Sequence, residues 1–122
     1  MDDTNAANRK FQKEIKAGTV ALVLLGVLDQ AEEPQYGYLI AKRLEAGGPE
    51  SEHLKQGALY PVLRSLERSG LLASEVQASV SGPPRRYYQI TDPGRSTLRE
   101  WVKIWSHHRD FVDAVLGGSY HV

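Results

Sequence analysis

Cysteine is missing from all 122 residues, which excludes disulfides, thiolate metal sites and cysteine nucleophiles together. A net charge is missing as well: 15 lysines and arginines stand against 15 aspartates and glutamates. The chain therefore lacks the overall basic excess that most DNA-binding proteins carry. The longest apolar run, Val20 to Leu28, is too short to span a bilayer, and the acidic start Met1-Asp2-Asp3 has neither the basic nor the apolar part of a signal peptide. A soluble, unprocessed cytoplasmic protein with no membrane partner is expected. Catalytic constellations are missing too, since no glycine-rich phosphate loop follows a strand and no serine stands on a nucleophile elbow. His107 and His108 are adjacent, hence about 100° apart on a helix, and cannot share one ion without a further ligand. His107 and Asp110, at i and i+3, would hold one only weakly. No catalytic residue, metal or cofactor is assigned, and an enzyme is not expected.

What remains is an ordinary globular composition, 41% hydrophobic, of a size for one domain with a modest core. The chain is organised around Gln56 to Leu72, QGALYPVLRSLERSGLL. A helix closed by Gly70 is expected there, with Leu59, Val62, Leu63 and Leu66 on one face at the spacing of a core stripe. Gly57, Tyr60, Pro61, Arg64 and Arg68 fall on the other face, which places two cations beside an aromatic hydroxyl. Gly57 and Ala58 allow close approach to a surface, and the unpaired N–H groups of a helix start favour phosphate. Such a helix suits end-on entry into a DNA groove. Two arginines on a surface helix also serve solubility alone, so the weight of this reading rests on the sequence around them. Pro61 costs about 3 kcal/mol inside a helix. Gly57, one turn back, is the least crowded neighbour for its ring.

Charge is distributed unevenly. Residues 1–52 carry six basic against nine acidic side chains, residues 53–99 seven against three, and residues 100–122 two against three. The basic excess thus lies in the central helix and the hairpin segment after it. The implied counterion release is modest per chain, so useful DNA affinity is expected to need two subunits.

In chain order, residues 1–8 are polar and aperiodic, and a disordered tail is expected. Arg9 to Gln30 reads as a first helix, with Phe11 and Ile15 one turn apart among basic residues and Val20 to Leu28 apolar on every side, as if surrounded by protein. Pro34 lies in a breaker, Asp29 to Gln35, before a second helix, Tyr36 to Ala46, with Gly37, Ile40, Ala41 and Leu44 inward. Gly47-Gly48-Pro49 ends it, and Glu50 to Leu54 is an acidic connector. Leu72 to Gln77 and Arg85 to Ile90 read as a hairpin wing with a mobile tip of Ser, Gly and Pro. Arg85 and Arg86 follow that tip, where a minor groove or phosphate would receive them. Thr91 caps a last helix with Pro93 in its first turn. Leu98, Trp101, Val102, Trp105, Val112 and Leu116 make one stripe, and Ile104, His108, Phe111 and Val115 widen it to an arc of about 160°. One neighbouring helix does not cover so wide an arc, so a partner subunit is expected on part of it, alongside Phe11 and Ile15.

Four spaced motifs carry a resemblance. They are Gly37-Tyr38 opening the second helix, Gly57 to Leu72 (GALYPVLRSLERSGLL), Arg86-Tyr87-Tyr88, and Thr91 to Gly94. In this order, over Val20 to Leu116, the chain resembles the PadR family of transcriptional regulators, and its short branch with one C-terminal helix. The resemblance implies a mainly α fold with a small β-hairpin, a winged helix-turn-helix followed by a C-terminal dimerisation helix, and a third helix that continues, bent, through Pro61. Two departures stand out: Ala58 replaces a frequent Thr or Ser, and Lys55 lies near the usual capping hydroxyl.

The expected organisation is a tail at 1–8, a DNA-binding domain at 9–90, a dimerisation helix at 91–116 and a flexible tail at 117–122. Residues expected on double-stranded DNA are Tyr38, Lys55, Gln56, Gly57, Ala58 and Tyr60, with Pro61, Arg64, Arg68, Arg85 and Arg86. Those expected between subunits of a homodimer are Phe11, Ile15, Leu98, Trp101, Val102 and Trp105, with His108, Val112, Val115 and Leu116. In some short-branch relatives a tryptophan at the position of Trp105 stacks on a small planar, often cationic, effector. The resemblance thus leaves two readings of Trp105 and of Trp101 one turn away: an effector site, or a closed interface in which both indoles only pack. The reading is thus a homodimeric repressor on an inverted-repeat operator. The contrasting reading is the same fold used as a protein-interaction or scaffold module, with its basic face idle.

Overall fold

The computed structural model describes residues 3–48 and 56–117. Four helices and one hairpin follow in the order α1 (Asp3–Gln30), α2 (Gly37–Glu45), α3 (Gln56–Arg68), β1 (Leu72–Gln77), β2 (Arg85–Ile90) and α4 (Asp92–Val115). The fold is a winged helix, mainly α, with a two-stranded antiparallel wing. The expected connector at Glu50 to Leu54, the Lys55 contact, Met1-Asp2 and the tail beyond Gly117 lie outside the described residues.

One boundary is corrected. Residues 3–8, expected in a disordered tail, are the first turns of α1. They lack an apolar face and so leave no periodicity. Extending a formed helix fixes only one residue per hydrogen bond, however, and Ala6 and Ala7 are the best helix formers.

The core gathers at the junction of the elements. Leu24, Leu25 and Leu28 of α1 meet Ile40 and Leu44 of α2 and Leu59, Leu63 and Leu66 of α3, and Leu72, Tyr88 and Ile90 of the wing close the cluster. Leu24, Leu25 and Leu28 in the second half of α1 are buried, but Val20, Leu22, Val23 and Val27 are only partly covered. The all-round burial expected there is therefore incomplete within one chain, and Phe11 and Ile15 in its first half are exposed. α3 runs without interruption through Pro61.

Gly70, just after α3, takes the left-handed conformation at φ +80°, which glycine adopts without a Cβ penalty. The Leu71 N–H then donates to the Leu66 carbonyl at 3.0 Å. β1 and β2 pair from Leu72 opposite Ile90 to Gln77 opposite Arg85. A third segment joins them: the Gln35 N–H donates to the Tyr88 carbonyl at 2.9 Å, and the Tyr88 N–H returns to the Gln35 carbonyl at 2.8 Å. The stretch expected only to break the chain before α2 therefore also fixes α2 against the wing. The Gln35 side chain is buried and satisfied, its amide donating to Glu33 and its oxygen accepting from Arg43 Nε at 3.0 Å.

Candidate nucleic-acid interface

The outward side of α3 presents Gly57, Ala58, Pro61, Arg64 and Arg68, all exposed. Gln56 begins the helix. Tyr60 departs from expectation. It is half-buried and packs against the core, because it follows Leu59 and precedes Leu63 by one turn, at the edge of the apolar stripe. Its ring covers that edge. The helix's one carboxylate, Glu67, is half-buried and turned to the wing, accepting the Ser74 hydroxyl at 2.6 Å. The exposed surface of α3 is therefore cationic, in keeping with the charge distribution along the chain.

The wing arginines are exposed, but both are engaged within the chain. Successive strand residues point to opposite faces. On the face shared with Ser74, Tyr88 and the core, Arg86 Nη1 donates to Ser74 Oγ at 2.8 Å. On the other face the Arg85 guanidinium lies 4.5 Å from the Tyr36 ring centroid, in cation–π contact. Tyr36 in turn meets the Tyr87 ring edge-on at 5.2 Å and stacks with Tyr38 at 6.2 Å. Lys42 covers Tyr38 at 5.5 Å, and Tyr38 is about half exposed. At the wing tip the Ser79 hydroxyl lies 2.9–3.0 Å from the carbonyls of Ser81, Gly82 and Pro83. The tip is thereby folded onto one side chain and presents Val80 to solvent.

Sequence reasoning passed over Glu67, Ser74 and Tyr36. A signal was there for Ser74: the strand register places it directly opposite Tyr88 and diagonal to Arg86. The Tyr88 hydroxyl is fully buried and has no hydrogen-bond partner among the described residues. Burial, reinforced by the Glu67 carboxylate, pushes its pKa above the usual 10.0.

A second surface lies between α1 and α4. Phe11, Ile15 and Leu22 face Trp101, Trp105 and Val112 across an open groove of about 750 Å³, with Glu14 and Asp113 as its carboxylates. Of the residues expected between subunits, Leu98 and Trp101 are half-buried against their own core. Val102, Trp105, His108, Val112, Val115 and Leu116 are exposed, as are Ile104 and Phe111. Among the described residues no helix is long and apolar enough to cross a membrane.

Residues 24–100, from the second half of α1 through the wing into α4, match the transcriptional regulator PadR-like family. The chain belongs to the PadR-like family. It is 34% identical to a transcriptional regulator of Mycobacterium tuberculosis over 93% of its own length and 94% of that protein. Among solved structures it is similar to a PadR family transcriptional regulator from Eggerthella lenta, with 36% identity, a TM-score of 0.77, and coverage of 93% of this chain and 96% of the other. A PadR-like regulator from Bacillus cereus is similar at 29% identity and a TM-score of 0.69, covering 84% and 96% of the two chains. The PadR-like match includes all the motifs of α2, α3 and the wing, and stops within α4 before Trp101.

Proposed function

We propose that this PadR-like regulator is a homodimeric repressor that binds an inverted-repeat operator through α3 and its wing. The observation that carries the reading is the exposed, carboxylate-free face of α3, where a glycine-alanine start suited to close approach is followed by Arg64 and Arg68, about two and three turns further along the helix. In this reading Tyr38 at the head of α2, the wing arginines Arg85 and Arg86, and Lys55 and Gln56 add further DNA contacts to that face. Residues 9–90 form the DNA-binding part and residues 91–116 the dimerisation helix in this reading.

Two further features support the assembly. The apolar side chains of α4 from Val102 to Leu116 are largely uncovered by their own chain, together with Phe11 and Ile15. An exposed apolar surface of that extent suits a second subunit. The groove holding Trp101 and Trp105 offers an aromatic wall, with Glu14, Asp113 and Arg109 as its charged residues, and the indole faces suit a planar cationic effector.

Titration of a labelled duplex across a salt series tests the reading. Binding that weakens steeply as salt rises is expected from phosphate contacts by two subunits. A flat response, or none, would return the protein-interaction reading of the same fold.

A further inference from the structure

We infer that the wing is held in its working pose by a two-sided clamp, in which Ser74 and Glu67 position Arg86 and Tyr36 positions Arg85. The inference rests on the DNA-binding reading above and assigns three residues that do not themselves need to touch DNA.

The geometry follows from the strand. Arg85 and Arg86 are neighbours on β2, so the pleat sends them to opposite faces, and each face meets a different helix of the helix-turn-helix. On one side the guanidinium of Arg86 donates to Ser74 Oγ at 2.8 Å, and Ser74 donates to Glu67 Oε2 of α3 at 2.6 Å. The direction of this relay is fixed by chemistry. A guanidinium only donates, a carboxylate only accepts, and a hydroxyl does both. Serine or threonine is thus required at the middle. On the other side the Arg85 guanidinium carbon lies over the Tyr36 ring, 4.5 Å from its centroid. Tyr36 is itself fixed, because Gln35 is bonded to Tyr88 of the same strand and Tyr36 is the N-cap of α2.

The clamp uses one of the five N–H donors of Arg86 and leaves the residue exposed. The remaining donors have no hydrogen-bond partner among the described residues and can meet phosphate from an arm already ordered. The wing has a seven-residue tip between its strands, so without such ties two long side chains would have to be ordered upon binding. Ordering each beforehand is worth roughly a twofold to tenfold gain in affinity.

A double-mutant cycle tests the inference on a short mixed-sequence DNA duplex at low salt, read by fluorescence anisotropy. Ser74→Ala is expected to weaken binding about threefold to tenfold when Arg86 is present and less than about twofold in an Arg86→Ala background. Ser74→Thr should rescue it. Tyr36→Leu should show the same dependence on Arg85. In the free protein, amide exchange across residues 75–87 should rise in Ser74→Ala and return with Ser74→Thr. Equal losses in both Arg86 backgrounds, or wild-type affinity in Ser74→Ala, would overturn the positioning role. Absence of duplex binding by the wild type would instead overturn the DNA reading, and the clamp's use with it, while the exchange data report separately on whether the tie exists.

Discussion

Gly94 packs its α-carbon against the carbonyl oxygen of Leu71, so closely that a Cβ added there would collide with it. Thr91 holds the contact from beside it. Its hydroxyl donates to the Gly70 carbonyl at 2.8 Å and accepts the Gly94 N–H at 3.0 Å, and its own N–H donates to Leu71 at 3.1 Å. The Thr-x-x-Gly motif thereby joins the end of α3 to the start of α4. Gly94→Ala should destabilise the fold by about 1–3 kcal/mol through overpacking. Thr91→Ala should cost about 0.5–2 kcal/mol through the lost cap, and Thr91→Ser should recover part of it. Denaturant midpoints measure all three.

Tyr88 offers a test with the opposite sign. Its hydroxyl is buried without a partner among the described residues, so Tyr88→Phe should be neutral or stabilise the chain by about 1 kcal/mol. The raised pKa makes a second claim. Below the unfolded value of 10.0 the neutral phenol is present in both states and the fold is fully stable with respect to this group. As pH rises from there through the higher folded pKa, the unfolded chain loses its proton first and stability falls. Thermal unfolding of the wild type should therefore decline more steeply above about pH 10 than that of Tyr88→Phe.

The proposed assembly rests on α4 side chains that their own chain leaves exposed. Phe111 and Val115 are 63% and 70% exposed, so Phe111→Glu and Val115→Glu should leave the helix content unchanged and convert a dimer into a monomer. Sedimentation of the intact protein at micromolar concentration is the check. A monomeric wild type would mean that this arc serves no second copy of the chain.

The groove makes its own prediction. Planar cationic dyes should quench tryptophan fluorescence saturably and release DNA, and Trp105→Ala should abolish both effects, since each ring contact is worth about 0.5–2 kcal/mol. Absence of quenching across a varied dye panel would exclude this groove as a site for a planar cationic effector.

The wing was legible in the sequence to the residue, Leu72–Gln77 and Arg85–Ile90, because a Ser-Gly-Pro-Pro turn directly precedes the segment that carries two tyrosines and an isoleucine. The core stripe of α3 was legible for the same reason, as its three leucines recur at helical spacing. The turns of α1 before Arg9 were not, because their helicity comes from propensity and continuation and leaves no pattern. The Gln35–Tyr88 bridge pairs one residue with one, too short to show alternation. Tyr60 lies between two faces of the wheel, and which way a boundary ring leans is decided by the neighbours it covers. The engagement of Arg85 and Arg86 required knowing what lies across the strand from each. Charge counts alone leave that open.

Footprinting on the DNA upstream of the chain's own gene tests the central claim most directly. Wild-type protein should protect two half-sites of an inverted repeat about one helical turn apart, near 34 Å. Arg64→Ala should lose about 1–3 kcal/mol of that protection if it reads a base, or chiefly flatten the salt slope if it meets phosphate. Tyr60→Phe should also weaken it while keeping the ring that covers the core. A protected region that both variants hold with wild-type affinity would contradict the assignment of α3 as the reading helix.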